Sequence, residues 1–150
     1  MLPVKLILCP TDFSKPSDEG LAAARELASH FGCDLVLVHV LPVVPSLPPN
    51  PNFVFEVPEY ERALHLDAAK KLERMVQEVG AAGLKARAIV GHGDAGGEIV
   101  RIAEEEGADL VVIATHGLTG WRHVVFGSVA EKVVRHAQCS VLSVRARRDT

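Results

Sequence analysis

The chain alternates short, strongly apolar runs with longer segments in which apolar residues recur every three or four positions. This alternation restricts the fold more than any other feature. The apolar runs have the length and the leucine, isoleucine and valine content of buried strands. Five such runs occur, at residues 4–9, 34–41, 84–90, 109–113 and 140–145. In the third run, Lys85 and Arg87 alternate with apolar residues, which indicates a less buried strand near a sheet edge.

The segments between these runs carry the start and stop signals of helices. Ser14 is a typical N-cap with Pro16 in the first turn, and Gly32 is a natural C-terminal stop. Three further helices are predicted: beyond Pro58, after the cap Asp94, and from Ser128. The last helix is expected to place four residues on one apolar face: Ala130, Val133, Val134 and Ala137. Strict alternation of strand and helix predicts an α/β protein with one parallel sheet, right-handed crossovers and helices on both faces.

Length and composition indicate one domain over residues 1–150, with 48% hydrophobic and 23% charged residues, as in ordinary globular proteins. A net charge of −3 argues against a broad nucleic-acid surface. The N-terminus matches neither a signal peptide nor a membrane span, so we expect a cytoplasmic protein. The three cysteines have no CxxC spacing, which argues against a disulfide framework or a thiolate metal site. Residues 42–57 form a proline-rich loop whose role the sequence leaves open.

A glycine-bearing segment joins the fourth predicted strand to the last helix. Gly117, Gly120 and Gly127 allow a ligand to approach the main chain closely, and the helix start at Ser128 offers N–H groups to an anion. From this spacing alone, a phosphate-binding loop and an ordinary turn with a helix cap are equally open.

Other polar residues are expected to share one edge of the sheet with this segment. In open parallel sheets, ligands bind beyond the carboxyl ends of the strands, where the strand order reverses. Three segments follow such strand ends: Pro10-Thr11-Asp12, His39-Val40 and residues 114–128. His39 itself lies within a buried strand and is expected to satisfy a hydrogen bond in the core.

Over essentially its whole length, the sequence resembles the universal stress proteins. The resemblance rests on ILCPTDFS after the first strand, LVHV on the second, EEGADLVVIATHG leading into the loop, and FGSVAEKVVRHA after it. It implies a Rossmann-like fold, similar to the adenine nucleotide alpha hydrolases, with strand order 3-2-1-4-5. The nucleotide-binding branch of the family carries G-x2-G-x9-G-[S/T]. The chain matches this motif at Gly117, Gly127 and Ser128 and departs from it at Ala114.

The resemblance also implies a ligand and its surroundings. ATP would lie with its adenine against the backbone near Thr11 and Val40 and its ribose near Asp12. Its phosphates would lie on four residues that include the helix start: Gly117, Gly127, Ser128 and Val129. The remaining residues expected around the nucleotide are Pro10, Ile113, Ala114, His116 and Arg122. Mg²⁺ or Mn²⁺ would arrive with the phosphates.

Several of these residues have an ordinary structural alternative. Asp12 is equally explained as a turn or cap residue. His116 and His123 match no metal-ligand spacing and are typical of surface loops. Arg122 either pairs with a phosphate or is simply solvated. The methyl group of Ala114 matters only if its position needs a positive φ or touches the ligand.

The resemblance implies a homodimer formed through the last strand, Val141–Val144, and a nucleotide-responsive, stress-linked function. Two alternatives stay open. One is a slow ATPase or nucleotidyl transferase in which Asp12 or His116 assists. The other is a dimeric interaction module that binds no nucleotide. The loop has no lysine of the Walker type, so any hydrolysis is expected to be slow or to need a partner.

Overall fold

The computed structural model describes residues 2–43, 57–116 and 126–147. Within these ranges, strands and helices alternate along the chain, as the apolar pattern predicts. In chain order they are β1 Leu6–Pro10, α1 Lys15–Phe31, β2 Asp34–Leu41, α2 Val57–Ala81, β3 Ala86–His92, α3 Ala95–Glu105, β4 Leu110–Ala114, α4 Ser128–His136 and β5 Ser140–Val144.

The strands form one parallel sheet in the order β3-β2-β1-β4-β5, which confirms the predicted fold class and strand order. At its centre, Leu8 of β1 lies opposite Val36 of β2 on one side and Val111 of β4 on the other. The chain order reverses at β1, so the connections that follow β1 and β4 diverge to opposite faces of the sheet. This divergence opens a crevice at the carboxyl ends of the two strands.

Helices cover both faces of the sheet. Successive side chains of a strand point to opposite sides, and in the central strands the side chains on both sides are apolar and need cover. Leu35 and Leu37 of β2 belong to the apolar cluster that contains residues of α1 and α2. Val36 and Val38 belong to the cluster that contains residues of α3 and α4. Both clusters are well buried, so the central strands have the apolar environment on both faces that their sequences predict.

The predicted helix caps of α1 are confirmed. Ser14 accepts a hydrogen bond from the Ser17 N–H at 3.3 Å, and Pro16 lies in the first turn. Gly32 ends the helix with a φ of 65°, in the left-handed region where glycine is favoured. These caps fix where the chain enters α1, directly after the turn that follows β1.

The structure corrects some details of the sequence analysis. β1 begins at Leu6 rather than at residue 4, because the N–H groups of Lys5 and Leu6 bond the carboxylate of Asp109. α2 begins at Val57, within the segment predicted to be loop. Val134 does not share the buried face of α4, since 48% of it is exposed. No helix in the described part of the chain is long and apolar enough to cross a membrane.

Candidate functional site

A cleft of about 230 Å³ lies at the carboxyl ends of β1 and β4, where the strand order reverses. Its walls contain every predicted site residue that the structure describes: Pro10, Thr11, Asp12, Val40, Ile113, Ala114, His116, Gly127, Ser128 and Val129. Gly117 and Arg122 lie outside the described residues. Three chain segments that are far apart in the sequence therefore meet around one space.

The turn after β1 forms one wall and is tied firmly to its neighbours. The Thr11 N–H donates to the carbonyl of Val38 at 2.8 Å, and the Thr11 hydroxyl lies 3.1 Å from that of Ser17. The same hydroxyl accepts a hydrogen bond from the Phe13 N–H at 3.0 Å. Phe13 has a φ of 63°, which is uncommon for a residue with a side chain. These bonds hold the turn in a defined shape beside the cleft.

Of the two structural roles that the sequence left open, Asp12 has that of a turn residue before the helix cap, and it also lines the cleft. Its Oδ1 atom accepts hydrogen bonds from the Ser14 N–H at 3.0 Å and from the Ser14 hydroxyl. The side chain is half-buried on the cleft wall. A carboxylate has two oxygens with several acceptor positions, so these bonds to Ser14 are compatible with accepting further hydrogen bonds from a ligand.

His39 is a cleft residue that the sequence analysis assigned only to the core. Its Nδ1 atom lies 2.8 Å from the carbonyl oxygen of Thr11. Because a carbonyl only accepts, Nδ1 carries the proton and donates. The ring also packs on Phe13, with centroids 4.3 Å apart. The hydrogen bond is therefore the one expected, but the side chain is half-buried on the cleft wall beside Val40.

The structure adds further lining residues that the sequence analysis missed: Ser17, Val38, Ala95, Ile99, Thr115 and Ala130. Ala95 and Ile99 come from the first turns of α3, directly after the cap Asp94. The cap Asp94 could have predicted these two lining residues. It marks a helix that begins at the carboxyl end of β3, on the same edge of the sheet as the other segments.

The opposite wall is the beginning of α4. The Gly127 N–H donates to the carbonyl of Thr115 at 2.5 Å, which brings the two ends of the undescribed segment 117–125 together. A Cβ atom on Gly127 would lie 3.1 Å from that carbonyl oxygen, closer than a side chain normally comes. Glycine is favoured here because two backbone segments approach closely, so a side chain would require the Thr115 carbonyl to shift.

No side chain caps the N-terminus of α4, whose cap residue is Gly127. The other two helices with described caps differ: Ser14 caps α1, and the carboxylate of Asp94 accepts from the Gly97 N–H at 2.9 Å to cap α3. The first N–H groups of a helix carry a partial positive charge and attract anions. The cleft therefore receives uncapped N–H groups at one end and a carboxylate, Asp12, at the other.

Ala114, the departure from the glycine motif, lines the cleft but does not have the positive φ that would make its methyl group unfavourable. It is the last residue of β4 and is not among the described residues with a positive φ. Its methyl group faces Gly20 of α1, where a Cβ atom would lie 3.7 Å from it. The extra carbon is thus accommodated by a glycine on the neighbouring helix.

The charge around the cleft is modest. Asp12 is the carboxylate among the described lining residues, which include neither lysine nor arginine. Near the start of α3, Lys132 donates to Asp94 at 2.6 Å, and this bond is the main reason that the pKa of Asp94 lies below its ordinary value. Across the described residues, no group of three or more His, Cys, Asp or Glu side chains is arranged to hold a metal ion.

Comparisons with known proteins agree with this architecture. The model of the Universal stress protein family matches residues 3–145. Universal stress protein MJ0531 of Methanocaldococcus jannaschii is 34% identical over 143 residues, which cover 94% of this chain and 82% of that protein.

Solved structures show the same fold. The structure of MJ0577 from the same organism superposes with a TM-score of 0.82 at 28% identity and covers 97% of this chain and 99% of that one. A universal stress protein in complex with cAMP has a TM-score of 0.65 at 22% identity, with 94% and 96% covered. One from Archaeoglobus fulgidus in complex with dAMP has a TM-score of 0.64 at 21% identity, with 95% and 98% covered.

Proposed function

The chain belongs to the universal stress protein family, and on that premise we propose that it binds ATP in the cleft between β1 and β4. We propose that it acts as a nucleotide-responsive, stress-linked regulator rather than as a dedicated metabolic enzyme. The observation that carries this proposal is the pairing of the uncapped N-terminus of α4 with Asp12 across one cleft. An adenine nucleotide has the matching chemistry, with phosphates at one end and ribose hydroxyls nearer the base.

Each part of the nucleotide has a wall suited to it. The adenine would lie against the backbone near Thr11 and Val40, with the ribose hydroxyls donating to Asp12. The phosphates would accept hydrogen bonds from Gly127 and from the first N–H groups of α4, at Ser128 and Val129. Relatives of the same fold in complex with cAMP and dAMP support an adenine nucleotide as the ligand class.

Two predicted contributions to phosphate binding belong to residues outside the described ranges. Gly117 would supply a further close backbone approach, and Arg122 would pair with a phosphate. His116, on the described side of this segment, lines the cleft and lies 3.0 Å, from Nδ1 to Oγ1, from the hydroxyl of Thr115. Mg²⁺ or Mn²⁺ would be carried mainly by the phosphates, because such ions prefer oxygen ligands and retain water.

Hydrolysis of the bound nucleotide is expected to be slow. The described cleft offers no lysine or arginine to neutralise charge that develops on the phosphates. Nδ1 of His39 is occupied by the carbonyl of Thr11, and Asp12 accepts hydrogen bonds from Ser14. If the chain were a genuine ATPase or nucleotidyl transferase, single-turnover release of phosphate or pyrophosphate would be detectable and would disappear in Asp12→Ala.

A backbone hydrogen bond connects the cleft to the edge strand β5. The Thr115 N–H donates to the carbonyl of Val144 at 2.9 Å, so a lining residue is bonded directly to the last residue of β5. We propose that the chain forms a homodimer through Val141–Val144 of this edge strand. Ligand contacts on Thr115 and Gly127 would then bias the position of the dimerising strand.

Isothermal titration of the full chain with ATP and Mg²⁺ tests the proposal. We expect one nucleotide per chain, and we expect Gly127→Val to abolish binding because its side chain would strike the Thr115 carbonyl. Gly80→Val is a matched control, since nothing lies within 4 Å of the corresponding Cβ position. The dimer should persist in both variants. Absence of binding by the unmodified chain at millimolar ATP would favour the alternative of a dimeric module without nucleotide.

A further inference from the structure

A pair of histidines lies away from the cleft, where α2 packs beside the end of β3. Nδ1 of His65, in α2, is 3.3 Å from Nε2 of His92, the last residue of β3. The two rings are parallel within 3°, and their centroids are 5.3 Å apart. Neither residue has a role in the proposed nucleotide site, so the contact needs an explanation of its own.

We propose that His65 and His92 form a two-histidine site for a divalent transition-metal ion of the Zn²⁺, Ni²⁺ or Cu²⁺ class. The spacing of the two nitrogens supports this. Two imidazole nitrogens bound to tetrahedral Zn²⁺ at 2.0–2.1 Å lie about 3.3–3.4 Å apart. The ion would lie between the two nitrogens, and the proton that one ring now donates would move through solvent to the other nitrogen of that ring.

The backbone holds the two side chains ready for such an ion. His65 lies in the interior of a long helix and His92 in a strand hydrogen-bonded to β2, opposite Leu41. The contact between the rings is exposed to solvent. The ring rotations that direct both lone pairs at one ion therefore require no rearrangement of the core.

The surroundings are favourable for a cation. Glu61 lies one helical turn before His65 and lines a cavity of about 290 Å³ together with His92, which leaves room for water ligands. Glu98, whose carboxylate accepts a hydrogen bond from the backbone N–H of His92, is already paired with Arg101, so the negative charge beside the pair comes from Glu61. Since the described residues contain no cluster of three metal-ligating side chains, water would complete the coordination. Imidazole ligands select borderline transition metals over Mg²⁺ and Ca²⁺.

Titration of the full chain with Zn²⁺ alone, without nucleotide, tests the site. We expect one ion per chain with an affinity in the micromolar range, and at least tenfold weaker binding in His65→Ala and in His92→Ala. His30→Ala and His136→Ala are matched controls, because both histidines are exposed on other helices, and they should change the affinity less than twofold. Melting curves should show that all four variants remain folded.

Two results would overturn the site: equal Zn²⁺ binding by the unmodified chain and by the double variant of His65 and His92, or loss of binding in His116→Ala instead. The measurement is independent of the nucleotide proposal. Gly127→Val, which is expected to lose ATP, should retain Zn²⁺ binding in full. Mg²⁺ at the same concentration should produce no binding heat at the pair.

Discussion

At the scale of single residues, Ala114 is informative because it breaks the glycine pattern of the predicted phosphate loop. Its methyl group faces Gly20 of α1. Ala114→Gly should therefore change the ATP affinity less than threefold. It should lower the free energy of unfolding by about 1 kcal/mol, because a buried methyl is lost and a more flexible residue is introduced. Titration calorimetry and urea unfolding measure the two effects. A tenfold gain in ATP affinity would mean that the methyl group obstructs the ligand.

Cys9 provides a test that depends on pH. The thiol is fully buried in β1, and this burial raises its pKa from 9.0 to about 12. The unfolded chain therefore releases the proton at a lower pH than the folded one. The protonated thiol of Cys9 therefore contributes to the free energy of unfolding in full below pH 9. This contribution is lost as the pH rises through about 12.

Because of this single thiol, raising the pH from 8 to 10 should lower the free energy of unfolding by about 1 kcal/mol, as measured by urea unfolding. Cys9→Ala should remove that part of the pH dependence, whatever its effect on absolute stability. Cys139→Ala is the control, since this thiol is only half-buried and the variant retains the buried thiol of Cys9. Identical slopes in the unmodified chain and in Cys9→Ala would contradict the burial argument.

Local signals made some residues predictable, and distant contacts made others unpredictable. Ser14 and Gly32 were identified as caps because a cap depends on its immediate neighbours. The space for the methyl group of Ala114, at the end of β4, depends on Gly20 of α1, and no local sequence pattern reveals this contact. The role of His39 was half predicted: its hydrogen bond was expected, but its place on the cleft wall follows from the turn that packs beside it.

At the scale of elements, Asp109 shows how one side chain sets a strand boundary. Its Oδ2 atom accepts hydrogen bonds from the N–H groups of Lys5 at 2.8 Å and Leu6 at 3.0 Å, which ties the start of β1 to β4. Asp109→Ala should lower the free energy of unfolding by about 2 kcal/mol, because two donors lose their acceptor.

Asp109→Asn is the matched variant, since an amide oxygen can still accept from both N–H groups. We expect it to cost less than half as much as the alanine variant in the same urea experiment. If the two variants were equally destabilised, the negative charge of Asp109 rather than its hydrogen bonds would be the cause.

Strand boundaries were less predictable than the strands themselves. The apolar run at 4–9 begins with Val4, which is buried but precedes the ladder. Likewise, β3 covers Ala86–His92 rather than 84–90. The hydrophobic pattern indicates which residues are buried, whereas a strand begins where its backbone forms hydrogen bonds with a neighbouring strand. The existence and order of the elements depend on the pattern as a whole and were therefore predicted correctly.

At the scale of the whole molecule, the parallel sheet leaves two outer edges, β3 and β5, and each is bonded to a strand on one side in the described part of the chain. The two edges differ in charge. On β3, the exposed Arg87 pairs with Glu106, and charged residues on an edge discourage further pairing. On β5, the residues Ser140–Val144 carry no charge, and Leu142 is 41% exposed.

This difference predicts which edge a second copy of the chain uses. Leu142→Arg places a charge on the outer surface of β5, so it should convert the proposed dimer into monomers over the micromolar range. Ala88→Arg adds the same side chain to the edge strand β3, at an exposed position, and should leave the dimer intact. Sedimentation equilibrium or light scattering after size exclusion measures both. Because burying an unpaired guanidinium at an interface is costly, a dimer that survived Leu142→Arg would have to be formed elsewhere on the molecule.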